Sequence, residues 1–283
     1  MRVSGFTIVR NAVKLQYPVK QSIASILPVC DEFIVNVGDS DDGTLELIKS
    51  IGSPKIKIVQ TVWDMGQKEQ VLSLQTNIAL GHCTGDWAFY LQTDEVIHEA
   101  DLPKLKQCME RCLGDPSVDA LRFRWFHFYG SHFRYRIDKG WYQKQDRIIR
   151  NNGTVESFGD AFSFRRKDGK DLRTKNTGCF VYHYGWVFTE EVMAKRRLNH
   201  GALWAVPAEE QQKRQKHTFG DLERFPVYFG SHPAVMKDLV AAHPISQQDR
   251  VNIRKCFWWN PLLWLKVRYK TGRRIKTKID EVV

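Results

Sequence analysis

Gln92-Thr93-Asp94-Glu95 carries side chains whose types and spacing could do chemistry. An acidic pair suits a hard divalent cation, Mg²⁺ or Mn²⁺, and the phosphates it bridges. Carboxylate, water and phosphate oxygens complete an octahedron at about 2.1 Å. The alternative is a solvated acidic turn that caps a helix. Further along, Val181-Tyr182-His183-Tyr184-Gly185-Trp186 ends an apolar run on a histidine. A neutral imidazole is a good additional metal ligand, although a lone histidine among nine means little by itself. Glu156 and Asp160 stand four residues apart, and either could serve as general base for a hydroxyl. Each also reads as an ordinary surface carboxylate.

Three other positions offer polar groups for a ligand. Arg10-Asn11 could hold a ribose or a phosphate. Asp39, in Asp39-Ser40-Asp41-Asp42-Gly43-Thr44, could accept hydrogen bonds from a nucleobase imide or a ribose hydroxyl. Asp41, Asp42 and Thr44 read instead as a turn and a helix cap. Asn77 could bind a ligand or tie a helix to the sheet edge.

The elements that must position these residues follow from periodicity. Gly5 to Val9, Phe33 to Val37, Lys55 to Val62 and Trp87 to Leu91 are short apolar runs that predict strands. Pro18 to Leu27, Thr44 to Ile51 and Lys68 to Cys83 predict the helices between them. Alternating strands and helices imply a parallel sheet covered on both faces. Ligands then gather outside the strand C-termini, where Arg10-Asn11, Asp39 and Asp94-Glu95 all fall. Leu102 to Leu113 predicts another helix. Ala120 to Tyr135 is dense in aromatics and arginine, and Arg147 to Arg150 and Cys179 to Tyr184 predict strands of a mixed extension. From Thr189 the pattern is mostly helical. The expected fold is α/β, a mostly parallel sheet with a mixed extension and a helical, basic C-terminal region. The division expected is 1–188, with halves 1–100 and 101–188, followed by 189–283.

The chain has 283 residues and a net charge of +11, with ordinary hydrophobic content of 42% and charged content of 27%. Nine lysines and arginines and no acid lie between Arg254 and Lys278, beside the apolar stretch Phe257-Trp258-Trp259-Asn260-Pro261-Leu262-Leu263-Trp264-Leu265. Aromatic and apolar residues beside a basic cluster suit an anionic membrane surface; the alternative is a core helix with a solvated tail. No nucleic-acid recognition module is visible, and the charge sits at one end, so nucleic acid is not expected. The six cysteines are scattered without a Cys-x-x-Cys pair. With no secretory leader, reduced thiols in a cytoplasmic protein are expected. No apolar run is long enough to span a bilayer.

Taken in order, four segments resemble the family 2 glycosyltransferases, which have a GT-A fold. They are Gly5 to Asn11, Phe33 to Thr44, Gln75-Thr76-Asn77 through Gly85-Asp86-Trp87, and Tyr90 to Glu95. The resemblance covers residues 1 to about 100 well, thins to about 190 and ends there. The family's Asp-x-Asp motif falls on Gln92-Thr93-Asp94, so Asp94 carries over and Gln92 is a departure. The resemblance implies an inverting sugar transfer from a UDP-, GDP- or dTDP-sugar to a glycan or lipid-linked acceptor of the lipopolysaccharide or polysaccharide kind. It implies nucleotide-sugar contacts from Arg10, Asn11, Asp39, Asn77, Gln92 and Asp94. Asp94, Glu95 and His183 would form the metal shell, and Glu156 or Asp160 would be the base. The aromatic segment Trp125 to Tyr135 could stack on a sugar acceptor or pack in the core. The basic tail would hold the enzyme peripherally on the inner face of a membrane. Two rivals remain. A nucleotidyltransferase would want a glycine-rich loop after the first strand, where Arg10-Asn11-Ala12-Val13-Lys14 has no glycine. Gln92 argues for a binding protein without catalytic activity.

Overall fold

The computed structural model describes residues 1–138, 140–204 and 206–243. The aromatic and basic tail, with Cys256, therefore lies outside the described residues. The other five cysteines are free thiols.

The elements run in the order β1 (Val3–Val9), α1 (Val19–Ile26), β2 (Glu32–Val37), α2 (Thr44–Lys49), β3 (Ile56–Gln60), α3 (Gln70–Gly81), β4 (Trp87–Tyr90), β5 (Glu95–Ile97) and α4 (Leu102–Leu113). Then follow β6 (Ala120–Tyr129), β7 (Tyr135–Arg136), β8 (Lys144–Arg150), β9 (Val155–Phe158), β10 (Ser163–Arg166), β11 (Thr174–Trp186), α5 (Glu190–Leu203), α6 (Ala208–Arg214) and α7 (Lys237–Ala241). The main sheet is ordered β3-β2-β1-β4-β8-β6-β11-β5, with β7 beside β6. Its first four strands are parallel. The extension is mixed: β8 runs antiparallel to β4 and β6, β11 parallel to β6, and β5 antiparallel to β11. This is the α/β class expected from the sequence.

Three of the parallel strands, β1, β2 and β4, are buried on both faces, which explains their largely apolar runs, while β3 at the sheet edge is only partly covered. Trp87 and Phe89 of β4 pack with Ile23 and Ile26 of α1 and Leu105 and Met109 of α4. Ala88 and Tyr90, on the opposite face, pack with Phe6, Ile34 and the α3 residues Val71 and Ala79. The alternation of side chains along each strand thus feeds two separate cores. The arginine- and aromatic-rich stretch forms β6, and Trp125, Phe126 and Phe128 are all buried. A sugar-stacking role for that segment is thereby replaced by core packing.

Two features set up the cleft. First, β4 ends in a tight turn, with the Glu95 amide donating to the Gln92 carbonyl at 3.0 Å, and the chain returns as β5. Second, β5 pairs with β11 in a register that puts Glu95 opposite His183. The Tyr184 amide donates to the Asp94 carbonyl at 2.8 Å. Residues far apart in the chain are therefore held side by side by backbone pairing alone. Beyond β11, α5 packs back over the sheet ends. Buried Arg196 donates to the carbonyls of Leu15, Gln16 and Gly185 at 2.7–2.8 Å.

Candidate active site

A cavity of about 230 Å³ opens where the C-terminal ends of β1 and β4 meet β11 and α5. Arg10, Gln92, Asp94, Asp160, His183 and Arg196 line it, with Trp63, Tyr90, Tyr142, Trp186 and Trp204 as apolar walls. Asp94 Oδ2 stands 3.6 Å from His183 Nε2, and both side chains are mostly buried. Burial alone would raise the Asp94 carboxyl. The neighbouring His183 and Arg196 prevail and bring it down to about 2, so Asp94 is an anion throughout the neutral range.

Gly185 keeps this corner open. A Cβ there would lie 2.6 Å from His183 Nε2 and 2.7 Å from Asp94 Oδ2. The space is therefore bounded by a carboxylate oxygen and an imidazole nitrogen, an oxygen and nitrogen pair suited to a divalent cation. Among the described residues no three His, Cys, Asp or Glu side chains converge on a metal-sized gap. A cation here would take Asp94 and His183 from the protein and its other ligands from diphosphate and water, which suits Mg²⁺ or Mn²⁺.

Glu95 is corrected from metal ligand to structural residue. It is fully buried, and both carboxylate oxygens receive Arg147, at 2.7 and 2.8 Å, with Trp125 Nε1 at 3.2 Å and the Gln92 amide at 3.1 Å. Arg147 is equally buried and lies over the Trp125 and Tyr90 rings. Burial opposes its charge, but the Glu95 carboxylate more than offsets this and holds the guanidinium above its ordinary value. Because Glu95 turns inward, Asp94 turns toward the cleft.

The two base candidates part company. Glu156, on the β9–β10 hairpin, pairs with Arg165 at 2.9 Å and does not line the cavity. Asp160 does line it. Burial, assisted by Glu69, raises its carboxyl above the ordinary value despite opposing amide contacts. Its turn is unusual: Gly159 has φ 58° and the non-glycine Ala161 has φ 60°. Such backbone strain collects where a side chain must be aimed. Arg147 Nη1 donates to the Phe162 carbonyl at 2.9 Å, so one guanidinium braces both the Asp94 turn and the Asp160 turn.

The remaining expected contacts divide similarly. Arg10 and Gln92 line the cavity, and Gln92 Nε2 reaches the Ala161 carbonyl at 3.4 Å. Asp39 is exposed beside it, accepting from Arg10 Nε and the Trp63 amide, each at 3.1 Å. Asn11, at φ 53°, accepts from the Asp41 amide and does not line the cavity. Asn77 is fully engaged with Ser157, donating to its carbonyl and accepting from its amide. Both asparagines are therefore corrected to structural roles. Missed from sequence were Tyr142, His127 and the α5 residues Arg196, Arg197 and His200. Met193, Arg196, Arg197, His200 and Leu203 repeat at helical spacing and all line the cavity, a signal that was readable.

No family model matches the chain, and no curated protein does. Among solved structures, TarS of S. aureus is similar at 14% identity and a TM-score of 0.43, covering 76% of this chain and 41% of TarS. Residues 1–349 of TarS in complex with UDP-GlcNAc give 11% identity and a TM-score of 0.45, covering 76% of this chain and 70% of that one. Glucosyl-3-phosphoglycerate synthase of Mycobacterium tuberculosis, in complex with Mn²⁺, UDP and glucosyl-3-phosphoglycerate, gives 19% identity and a TM-score of 0.33, covering 46% and 45%. The chain thus spans less than half the length of TarS and of that synthase.

Proposed function

We propose that the protein transfers a sugar from a nucleotide-diphosphate donor to an acceptor hydroxyl with inversion at the anomeric carbon. The observation that carries this reading is the convergence in one cavity of an ionised Asp94 beside His183 and a separate carboxyl, Asp160, whose affinity for protons is raised. Two acids in different environments suit two different tasks.

Asp160 takes the proton of the acceptor hydroxyl. The acceptor oxygen forms its bond to the anomeric carbon as the bond to the diphosphate breaks, and the electron pair leaves with the diphosphate. The negative charge that builds there meets Arg10 and Arg196 at the cavity wall, and preorganised charge of this kind supplies much of the acceleration in such reactions. A divalent cation bound by Asp94 and His183 would offset the same charge as a Lewis acid. Gln92, in place of a third acid, lowers the negative charge near the diphosphate. UDP-, GDP- and dTDP-sugars are the donor class and a glycan or lipid-linked hydroxyl the acceptor class, in the setting of lipopolysaccharide or polysaccharide synthesis at a cytoplasmic membrane face.

The test is Asp94→Ala assayed with a panel of nucleotide sugars. Transfer and donor hydrolysis are expected to fall by roughly 10²–10³-fold, the usual loss for one group that stabilises developing charge. Unchanged turnover would overturn the assignment. If the wild type itself binds no nucleotide with or without Mn²⁺, a binding protein of another kind is the better reading.

A further inference from the structure

His127 on β6 lies opposite His183 on β11. Their Nδ1 atoms are 3.0 Å apart, and His127 Nε2 is 2.7 Å from the Tyr142 carbonyl oxygen. His127 is fully buried, so each of its ring nitrogens must find its partner within the protein. The Trp141 and Tyr142 rings pack edge-on against it, each with centroids 4.9 Å away, and hold the ring in this orientation.

The proton positions follow from the partners. A carbonyl oxygen only accepts, so His127 Nε2 carries a hydrogen. Two arrangements of the 3.0 Å contact remain. If His127 donated from Nδ1 as well as from Nε2, it would be an imidazolium, a fully buried charge whose only hydrogen-bond partners among the described residues are a carbonyl and a second imidazole. Burial without a carboxylate partner disfavours that charge, so His127 is neutral and its Nδ1 is bare. His183 therefore donates from Nδ1 to a bare Nδ1 of His127. In neutral His183, the form that can bind a cation, the lone pair then stands on Nε2 beside Asp94 Oδ2, in the gap that Gly185 keeps open.

We propose that His127 is a positioning residue that fixes the tautomer of His183, so that His183 Nε2 and Asp94 together present two electron pairs to a divalent cation carrying a sugar-nucleotide diphosphate. The proposal rests on the glycosyl-transfer reading of the cleft. Metal-binding imidazoles generally donate their second N–H to a partner that orients the ring and raises its basicity. Here that partner is another imidazole, itself anchored on a main-chain carbonyl. Tyr142 thus acts at one remove: its carbonyl orients His127, which orients His183.

Two measurements on the full chain test this. Imidazole nitrogen NMR of the metal-free wild type should show His183 protonated at Nδ1 and His127 at Nε2. His183 protonated at Nε2 and bare at Nδ1 would overturn the proposal, whatever the enzyme's activity. Second, Mn²⁺ affinity is read by electron paramagnetic resonance in the presence of UDP. His127→Phe should weaken it by about 10–100-fold, the usual loss for an orienting partner. His127→Gln, whose amide can donate to Tyr142 and accept from His183, should keep most of the affinity. His127→Phe binding Mn²⁺ like the wild type, while His183→Ala does not, would remove the positioning role and leave the glycosyl-transfer reading intact. Wild-type affinity in both Asp94→Ala and His183→Ala would remove the metal site and this proposal together. Should His127→Phe fail to fold, the tautomer measurement decides.

Discussion

At Arg147 every edge of the guanidinium is occupied, by Glu95, by the Asp146 and Phe162 carbonyls, and by the rings above and below. Removing one member of such a buried pair strands the other. Arg147→Met is expected to lower stability by about 3–5 kcal/mol in denaturant unfolding, and the added change Glu95→Gln should recover part of that loss. A loss from the double variant equal to the two single losses summed would show that the pair is not coupled. Asp160 gives a kinetic prediction. Its carboxyl is raised by burial, and the base must be ionised to accept a proton, so the transfer rate should climb with pH through that raised value and level off above it. Asp160→Asn should lower kcat by about 10²–10⁴-fold and abolish that limb of the profile. Glu156→Gln, which removes only a pairing with Arg165, should leave both rate and profile close to wild type.

The elements most legible in the sequence were those with strong periodicity. Leu102–Leu113 forms as the helix expected, and the four parallel strands fall within a few residues of their apolar runs. What periodicity could not supply was partnership. Nothing in Gln92 to Glu95 says which carboxylate faces in; that depends on Arg147, far along the chain. Nothing near His183 announces that β11 will pair with β5 and bring it to Asp94. His127 read simply as one more ring in an aromatic strand. One long-range tie at this scale is open to test. Asp119, just before β6, accepts from Arg173 at 2.8 and 2.9 Å and from Arg166 of β10 at 3.2 Å. Arg173 above all, against the opposing effect of burial, holds the Asp119 carboxyl at about 2. A carboxyl depressed in the folded state contributes stability above its unfolded value and loses it as pH falls toward the folded one. Asp119→Asn should therefore cost on the order of 2 kcal/mol at neutral pH. The difference from wild type should shrink between about pH 4 and pH 2; a constant difference across that window would refute the linkage.

For the whole molecule, the uneven charge remains the strongest feature, and most of it lies in the basic run between Arg254 and Lys278. Among the described residues no helix is long and apolar enough to cross a membrane. The proposed peripheral attachment rests on the aromatic and basic composition of residues 256–283. Vesicles with about 30% anionic lipid should pellet the full chain at low salt and release it at high salt, since surface attraction decays within a Debye length. A chain lacking residues 256–283 should stay in the supernatant. Equal pelleting of the two would end the membrane assignment and leave the cleft chemistry untouched.

Arg196 has a bearing on where the working unit ends. It binds two carbonyls from the segment after β1 and one from the end of β11, and its charge lies between the Tyr17 and Phe188 rings at 4.2 Å from each. A fragment stopped at residue 188 would keep every strand of the sheet, yet it would lose the staple joining the chain's beginning to the strand that bears His183. Three inward carbonyls would be left to water, and the wall supplied by Met193 to Leu203 would be gone. The shortest fragment with a closed cleft must run past Leu203, because α5 supplies one wall of that cleft.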